Sequence, residues 1–537
     1  MADATQGRGR DTIVFGIRWD GGKRPRTLRV WGAALLSALL VGLLPAGAEA
    51  AQDHGSALQR ALVVPAAGHT ADARRLVARL GGRAGRPVSI VGGFAARVPA
   101  GAFARLSASP AIRIASPDVS LTVSSSGEDA AATAMQTADA AAGVTALREA
   151  GIDGSGVGVA LIDSGALPAR GDNQDGEFVG NQDEGNGNGV IVGPDFSSEG
   201  GNRNRAGVDG FGHGTHLAGV IAGHAGAFAG VAPGAHVVSI KVANAAGQTS
   251  LLRVLAGLEW VRQAAVKSRL DIRVVNLSLG VDATEAGYVN DPLAFAAERL
   301  WDAGLVVVAA AGNDGIDAGM VDVPAADPYV IAVGALDTHR TADTSDDSVA
   351  GFSSRSATRP PDVVAPGTGI VSLRAPGSTL DVRYPGARVG DRFFRGTGTS
   401  QATAVVSGIA ALLLQQRPGL HPDQVKALLR SGAAQVAADG DATAAQGAGA
   451  VNAARSAGLA TPAIASVSQA FPRATLDRSL VKLDKALSRL LAKMTGSTWS
   501  GSTWSGSTWS GSTWSGSTWS GSTWSGSTWS GAGWGDE

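Results

Sequence analysis

The spacing of apolar and polar positions divides the chain into stretches of different character. Short runs of Val, Ile, Leu and Ala recur at 157–162, 236–242, 272–277, 305–310 and 329–334. Each is too short for a helix and mainly apolar, as expected of a strand covered on both faces. Helix-length segments at 213–223, 249–266 and 292–302 separate them. The pattern predicts an α/β fold, a parallel sheet with helices on both faces. Sites in such sheets form beyond the carboxyl ends of the strands, where Asp163, Ser278 and Asn313 stand. A later segment, Val405 to Leu414, puts Val405, Ile409, Leu412 and Leu413 on one helical face and stops before Pro418-Gly419.

The region before this body has its own rhythm. Ala61–Val64 reads as a strand, Ala71–Leu80 as a helix, Pro87–Val91 and Gly93–Val98 as a strand pair, Ala100–Ser107 as a second helix and Val119–Val123 as a last strand. The order β-α-β-β-α-β is the ferredoxin-like pattern. Ser124–Ala142 is Ser/Ala-rich without periodicity and reads as a linker. At the front, Lys23, Arg24, Arg26 and Arg29 precede an apolar run from Val30 to Leu44, followed by Ala48-Glu49-Ala50. That is the layout of a signal segment with a small-x-small cleavage site after Ala50.

The tail differs again. Leu476, Leu480, Leu483, Leu487, Leu490 and Met494 form a narrow heptad stripe, read as a helix docked on the body or a short stalk. Seven copies of Gly-Ser-Thr-Trp-Ser then run from Gly496 to Ser530. A period of five gives no single aromatic face on a helix or on a strand. The repeat reads either as a flexible segment whose rings stack on cell-wall sugars or as a low-complexity extension without a ligand.

Composition narrows the chemistry. A chain of 537 residues is long enough for more than one domain. The net charge of −1 implies no nucleic-acid partner. Without cysteine there are no disulfides, no thiolate nucleophile and no Cys-ligated zinc.

The candidate chemistry centres on Gly396-Thr397-Gly398-Thr399-Ser400-Gln401. Ser400 falls at the first turn of a buried helix, where free N–H groups and the dipole favour a developing negative charge. Taken alone, this serine is equally a helix cap or a nucleophile. Two further stretches favour the nucleophile. Gly158–Gly165 is a strand ending in Asp163, and Gly212–Gly219 opens a helix with His213. The order Asp, His, Ser is one of the known orders of such a triad. These three blocks resemble the signature segments of the subtilisin-like serine proteases, the subtilases, over roughly residues 140–460.

The resemblance implies roles. Ser400 would be the nucleophile, His213 the base and Asp163 its orienting carboxylate, with Asn313 supplying the oxyanion hole. His216, three residues after His213, reads as structural. Ser278, Leu279 and Gly280, with Ala310, Ala311 and Gly312, would line the first specificity pocket; its small walls would admit a large apolar side chain, while Asp314 would bias the rim towards basic residues. Gly93–Pro99, Leu106 and Ser116–Asp118 resemble the end of an inhibitory propeptide that fills the cleft and is then cut off. No cofactor is required for catalysis.

The chain also departs from the family pattern. Gln401 stands where methionine is common, and Ala404-Val405 replace a Pro-His pair. The segment His224–Gly230 is short where relatives hold a calcium loop. A Gly/Asn-rich insertion at 170–208 carries Asp172, Asp175, Glu177, Asp183 and Glu184, oxygen ligands suited to structural calcium, although a solvated loop is favoured.

The expected layout is a signal peptide (1–50), a propeptide (51–125), a peptidase domain (126–460), a linker with an amphipathic helix (461–494) and the repeat tail (495–537). The expected function is a secreted, self-processing serine endopeptidase acting on polypeptides and inhibited by its own propeptide, with cell-wall or carbohydrate contact through the tryptophans as one of the two readings of the tail. The rival is a surface-binding protein whose protease domain is silent.

Overall fold

The computed structural model describes residues 58–123, 135–167, 189–201, 207–224, 228–267, 270–281, 287–464 and 471–476, and two strand dipeptides at 523–524 and 527–528. The signal segment, most of the insertion with Asp172, Asp175, Glu177, Asp183 and Glu184, part of the short 224–230 segment, and the heptad stripe beyond Leu476 lie outside these residues.

The central sheet runs, from one edge to the other, Ser348–Val349, Ile331–Asp337, Val306–Ala310, Ile272–Leu277, Gly158–Asp163, His236–Lys241, Gly189–Asp195. Val363–Pro366 also pairs with Ile331–Asp337. All pairings are parallel except that of Ser348–Val349. The strands in the middle are buried at nearly every residue, which is why they read as apolar runs rather than alternations. The helices His213–Ala222 and Thr399–Gln416 pack together, as do Leu251–Lys267 and Pro292–Asp302. No proline interrupts Thr399–Gln416, and Ala404 and Val405 are buried within it. Gly189–Asp195 was not expected as a strand. It lies at the sheet edge, and its Gly193-Pro194 pair breaks the apolar run that would have marked it.

The preceding unit is a four-stranded antiparallel sheet ordered Arg83–Val88, Gly93–Pro99, Leu58–Pro65, Ile112–Pro117. Its helices are Thr70–Arg79 and Phe103–Ala108. Alternation along its first strand divides the packing. Ala61 and Val63 join the unit's own core, with Val77, Phe94 and Leu106. Leu62 and Val64, with Ile90 and Val91, join the core of the large domain. Burying four such side chains contributes roughly 1.5–3 kcal/mol each, so this face fixes the unit on the body.

Two expectations are corrected here. The fourth strand is Ile112–Pro117, not Val119–Val123; an edge position tolerates the terminal proline that hid it. Ser120–Thr122 instead pairs antiparallel with Gln248–Ser250 of the large domain. At the other end, residues 471–476 dock on the body: Arg473 pairs with Glu298 at 3.0 Å, and Leu476 is fully buried at φ 52°, outside helical geometry. In the repeat tail, Thr523–Trp524 and Ser527–Thr528 form a two-residue strand pair.

Candidate active site

Asp163 is the last residue of its strand, and His213 is the first of its helix. The His213 Nδ1 lies 2.9 and 3.0 Å from the two Asp163 carboxylate oxygens, with both side chains buried. A nitrogen between two carboxylate oxygens carries the hydrogen, so the neutral ring keeps its lone pair on Nε2. Among the described residues Nε2 has no hydrogen-bond partner. That leaves a buried base open toward whatever enters the site.

Several residues outside the expected set hold this pair. Ser164 N donates to Asp163 Oδ1 at 2.7 Å. The Ser164 hydroxyl donates to Asp209 Oδ1 at 2.8 Å and accepts from Gly214 N at 3.0 Å. Asp209 also receives Gly212 N and Thr215 N, each at 2.7 Å, and so caps the start of the His213 helix. Gly214 is obligatory, because a β-carbon there would collide with Gly165 O. Lys241, buried and paired with Glu199 at 3.0 Å, donates to Ser164 O at 3.1 Å. In the sequence only the nearness of Asp209 to the Gly-His-Gly frame hinted at any of this.

Ser400 is the second residue of Thr399–Gln416 and is buried, as a nucleophile at a helix start requires. Its hydroxyl donates to Ser278 O at 3.4 Å, and Ser278 Oγ donates to Ser400 O at 3.1 Å. The Ser400 hydroxyl therefore rests on the strand end Ser278–Gly280, without a bond to His213 Nε2. Unliganded sites often hold such bonds open. On the other side Asn313 Oδ1 accepts from Thr399 N at 2.9 Å and from Thr399 Oγ1 at 3.0 Å. With its oxygen so occupied, the amide turns Nδ2 outward as a donor. The structure thus brings Ser400, Asn313 and Ser278 into one hydrogen-bonded neighbourhood, and Asp163 and His213 into another beside it.

His216 serves a different purpose. It is buried, with Nε2 3.2 and 3.1 Å from the carbonyls of Ile370 and Phe394. Burial, and then the neighbouring His213, push its pKa down to about 4. Among the described residues, no group of three or more His, Asp or Glu side chains forms a metal cluster, and no helix is long and apolar enough to cross a membrane.

Known proteins resemble this chain over its central part. The model of the Subtilase family matches residues 154–449. The "Serine protease AprX" of Bacillus subtilis (strain 168) is 40% identical over 291 residues, 52% of this chain and 62% of that protein. "Subtilisin DY" of Bacillus licheniformis is 35% identical over 228 residues, 42% of this chain and 71% of its own. Fervidolysin from Fervidobacterium pennivorans, described as a keratinolytic enzyme related to subtilisin, has the same fold at a TM-score of 0.58 and 24% identity, covering 76% of this chain and 62% of that one. The matched region is thus less than two thirds of the length of the first relative.

Proposed function

The chain belongs to the subtilase family, and from that premise we propose that it is a serine endopeptidase working through an acyl-enzyme. The observation that carries this reading is the buried His213 Nδ1–Asp163 pair at 2.9 Å with Nε2 left open. His213 Nε2 takes the Ser400 proton as the hydroxyl attacks a peptide carbonyl, and later returns it to the leaving amine. Asp163 fixes the tautomer and stabilises the imidazolium. The oxyanion is met by Asn313 Nδ2 and the N–H groups at the start of the Thr399–Gln416 helix. Ser278–Gly280 offers a strand end to an extended substrate. No step calls for a metal or cofactor; calcium in the 170–208 insertion would be structural.

We also propose that residues 58–123 are a propeptide occupying this cleft. After leaving its own sheet, the chain adds Ser120–Thr122 to Gln248–Ser250, and Val123 N donates to Gly247 O at 2.9 Å. Val123 is buried with Phe211, Ala243 and Leu380, and the Phe211 ring is 6.5 Å from that of His213. An extended segment docked in this way runs toward the site, which supports a processing cut after Val123, proposed within Ser124–Ser126. Secretion through the first fifty residues and wall contact through the tryptophan repeat complete the proposal. The rival of a silent surface-binding protein gains no support from the comparisons.

The test is the mass of the purified chain after incubation alone, beside Ser400→Ala. Loss of the N-terminal region at about residues 124–126 in the first, with the variant left whole, is the expected result. If both stay whole and a serine-directed covalent reagent fails to label Ser400, the reading is overturned.

A further inference from the structure

Three chain segments meet beside Ser400. Ser278–Gly280 leaves the strand Ile272–Leu277 on one side, in contact with Ser400 through Ser278. Ala310–Gly312 leads into Asn313 on the other. The third segment, Val321–Val323, is hydrogen-bonded to both. Asp322 N donates to Ala311 O at 2.9 Å, and Val281 and Val323 exchange backbone bonds of 3.0 and 2.8 Å.

Asp322 stands between those two pairings, and its side chain lies in the room that the facing glycines leave. A β-carbon on Gly280 would be 2.9 Å from Asp322 Cβ and 3.3 Å from Oδ2. A β-carbon on Gly312 would be 2.7 Å from Oδ2, with Ser354 Oγ at 2.8 Å. The carboxylate therefore sits between the two pocket walls, at the end formed by the third segment. Leu279, Ala310 and Ala311, which the resemblance assigns to the same walls, are apolar and buried.

We propose that Asp322 determines the specificity of the first pocket and selects Arg or Lys on the acyl side of the cut bond. The inference rests on the endopeptidase reading and adds the substrate class to it. A long basic side chain suits such a pocket, with its methylene stem against Leu279 and the alanines and its cation on the carboxylate. A large apolar side chain would instead cover the carboxylate without offering it a charge. Asp314, eight residues earlier and next to Asn313, is the carboxylate that the sequence pointed to; Asp322 is the one that lies between Gly280 and Gly312. The chain's own junction, as proposed above, carries serine and not a basic residue before the cut. A tethered junction reacts at high effective concentration and needs no help from the pocket, whereas free substrates compete for it.

The experiment uses the self-processed enzyme and peptide substrates identical except for Arg, Lys, Phe or Leu before the cut. The expected kcat/KM is at least about tenfold higher for Arg and Lys than for Phe and Leu, and in Asp322→Asn and Asp322→Ser the Arg-to-Phe ratio falls by at least about tenfold. A preference of the unaltered enzyme for Phe or Leu, or an unchanged ratio in both variants, overturns the proposal while the protease reading stands. Labelling of Ser400 by a covalent reagent, measured alongside, shows that each variant's site is folded. Absence of both labelling and cleavage in the unaltered enzyme overturns the protease reading and this proposal with it.

Discussion

Thr399 holds Asn313 by two hydrogen bonds to one atom: its N–H and its hydroxyl reach Asn313 Oδ1 at 2.9 and 3.0 Å. The residue before the nucleophile thereby decides which end of the asparagine amide faces the site. An amide held by its oxygen presents its two hydrogens, and of its two ends only the N–H end can donate to an oxyanion.

Asn313→Ala should therefore lower kcat with little effect on KM. A subtilisin supplies the general figure for losing such a donor, about 10²–10³-fold. Thr399→Val keeps the backbone bond and loses the hydroxyl, so its kcat should fall by a smaller factor, about tenfold. Steady-state kinetics on one peptide substrate separates the two variants. Equal kcat in Asn313→Ala and the unaltered enzyme would remove the oxyanion role.

Asp163→Asn tests the tautomer argument. An amide can donate to Nδ1 and so leave the proton on the wrong nitrogen, for which a loss of about 10⁴-fold in kcat is expected. The fold should persist, because Ser164, Asp209 and Lys241 still tie the turn together. Near-normal turnover in this variant would show that His213 does not depend on Asp163.

Stability should fall on acidification through His216. Its pKa is about 4 in the fold, against about 6.5 in an open chain. Between those values the unfolded chain binds a proton that the fold refuses, so stability present above pH 6.5 is lost progressively towards pH 4 and levels off below it. The shift corresponds to roughly 3 kcal/mol. Urea midpoints of the Ser400→Ala protein at pH 7 and pH 4.5 measure it, and His216→Gln should flatten the difference. Midpoints that do not move between the two pH values would contradict the assignment.

Gln401 bears on oxidation. It follows the nucleophile, is buried, and its Nε2 would lie 2.7 Å from a β-carbon on Gly396. An amide forms no sulfoxide, so activity should survive mild peroxide, whereas Gln401→Met should become sensitive. A rapid loss in the unaltered enzyme would show that another residue governs oxidation.

Val123→Asp should loosen the docked propeptide. Val123 is fully buried with Phe211, Ala243 and Leu380, and a carboxylate there would be desolvated without a partner. Processing of the full chain, followed by mass, should slow by about tenfold or more or shift its cut. Unchanged timing and position would mean that this contact does not guide the cut.

The order of residues along the chain was enough to mark the repeating units of the large domain and the local frame of each catalytic candidate. Short apolar strands, amphipathic helices and the glycine-framed Asp163, His213 and Ser400 are encoded over a few neighbouring residues, so period and local chemistry reveal them. Edge elements were less legible. Gly189–Asp195 and Ile112–Pro117 carry glycine or proline that an edge tolerates and a central strand would not. The contacts between distant positions came from the folded molecule alone: Thr399 to Asn313, Ser164 to Asp209, Ser120–Thr122 to Gln248–Ser250, and Asp322 to the gap between Gly280 and Gly312. Such contacts depend on which surfaces close against each other once the sheet is built, and no local pattern carries that information.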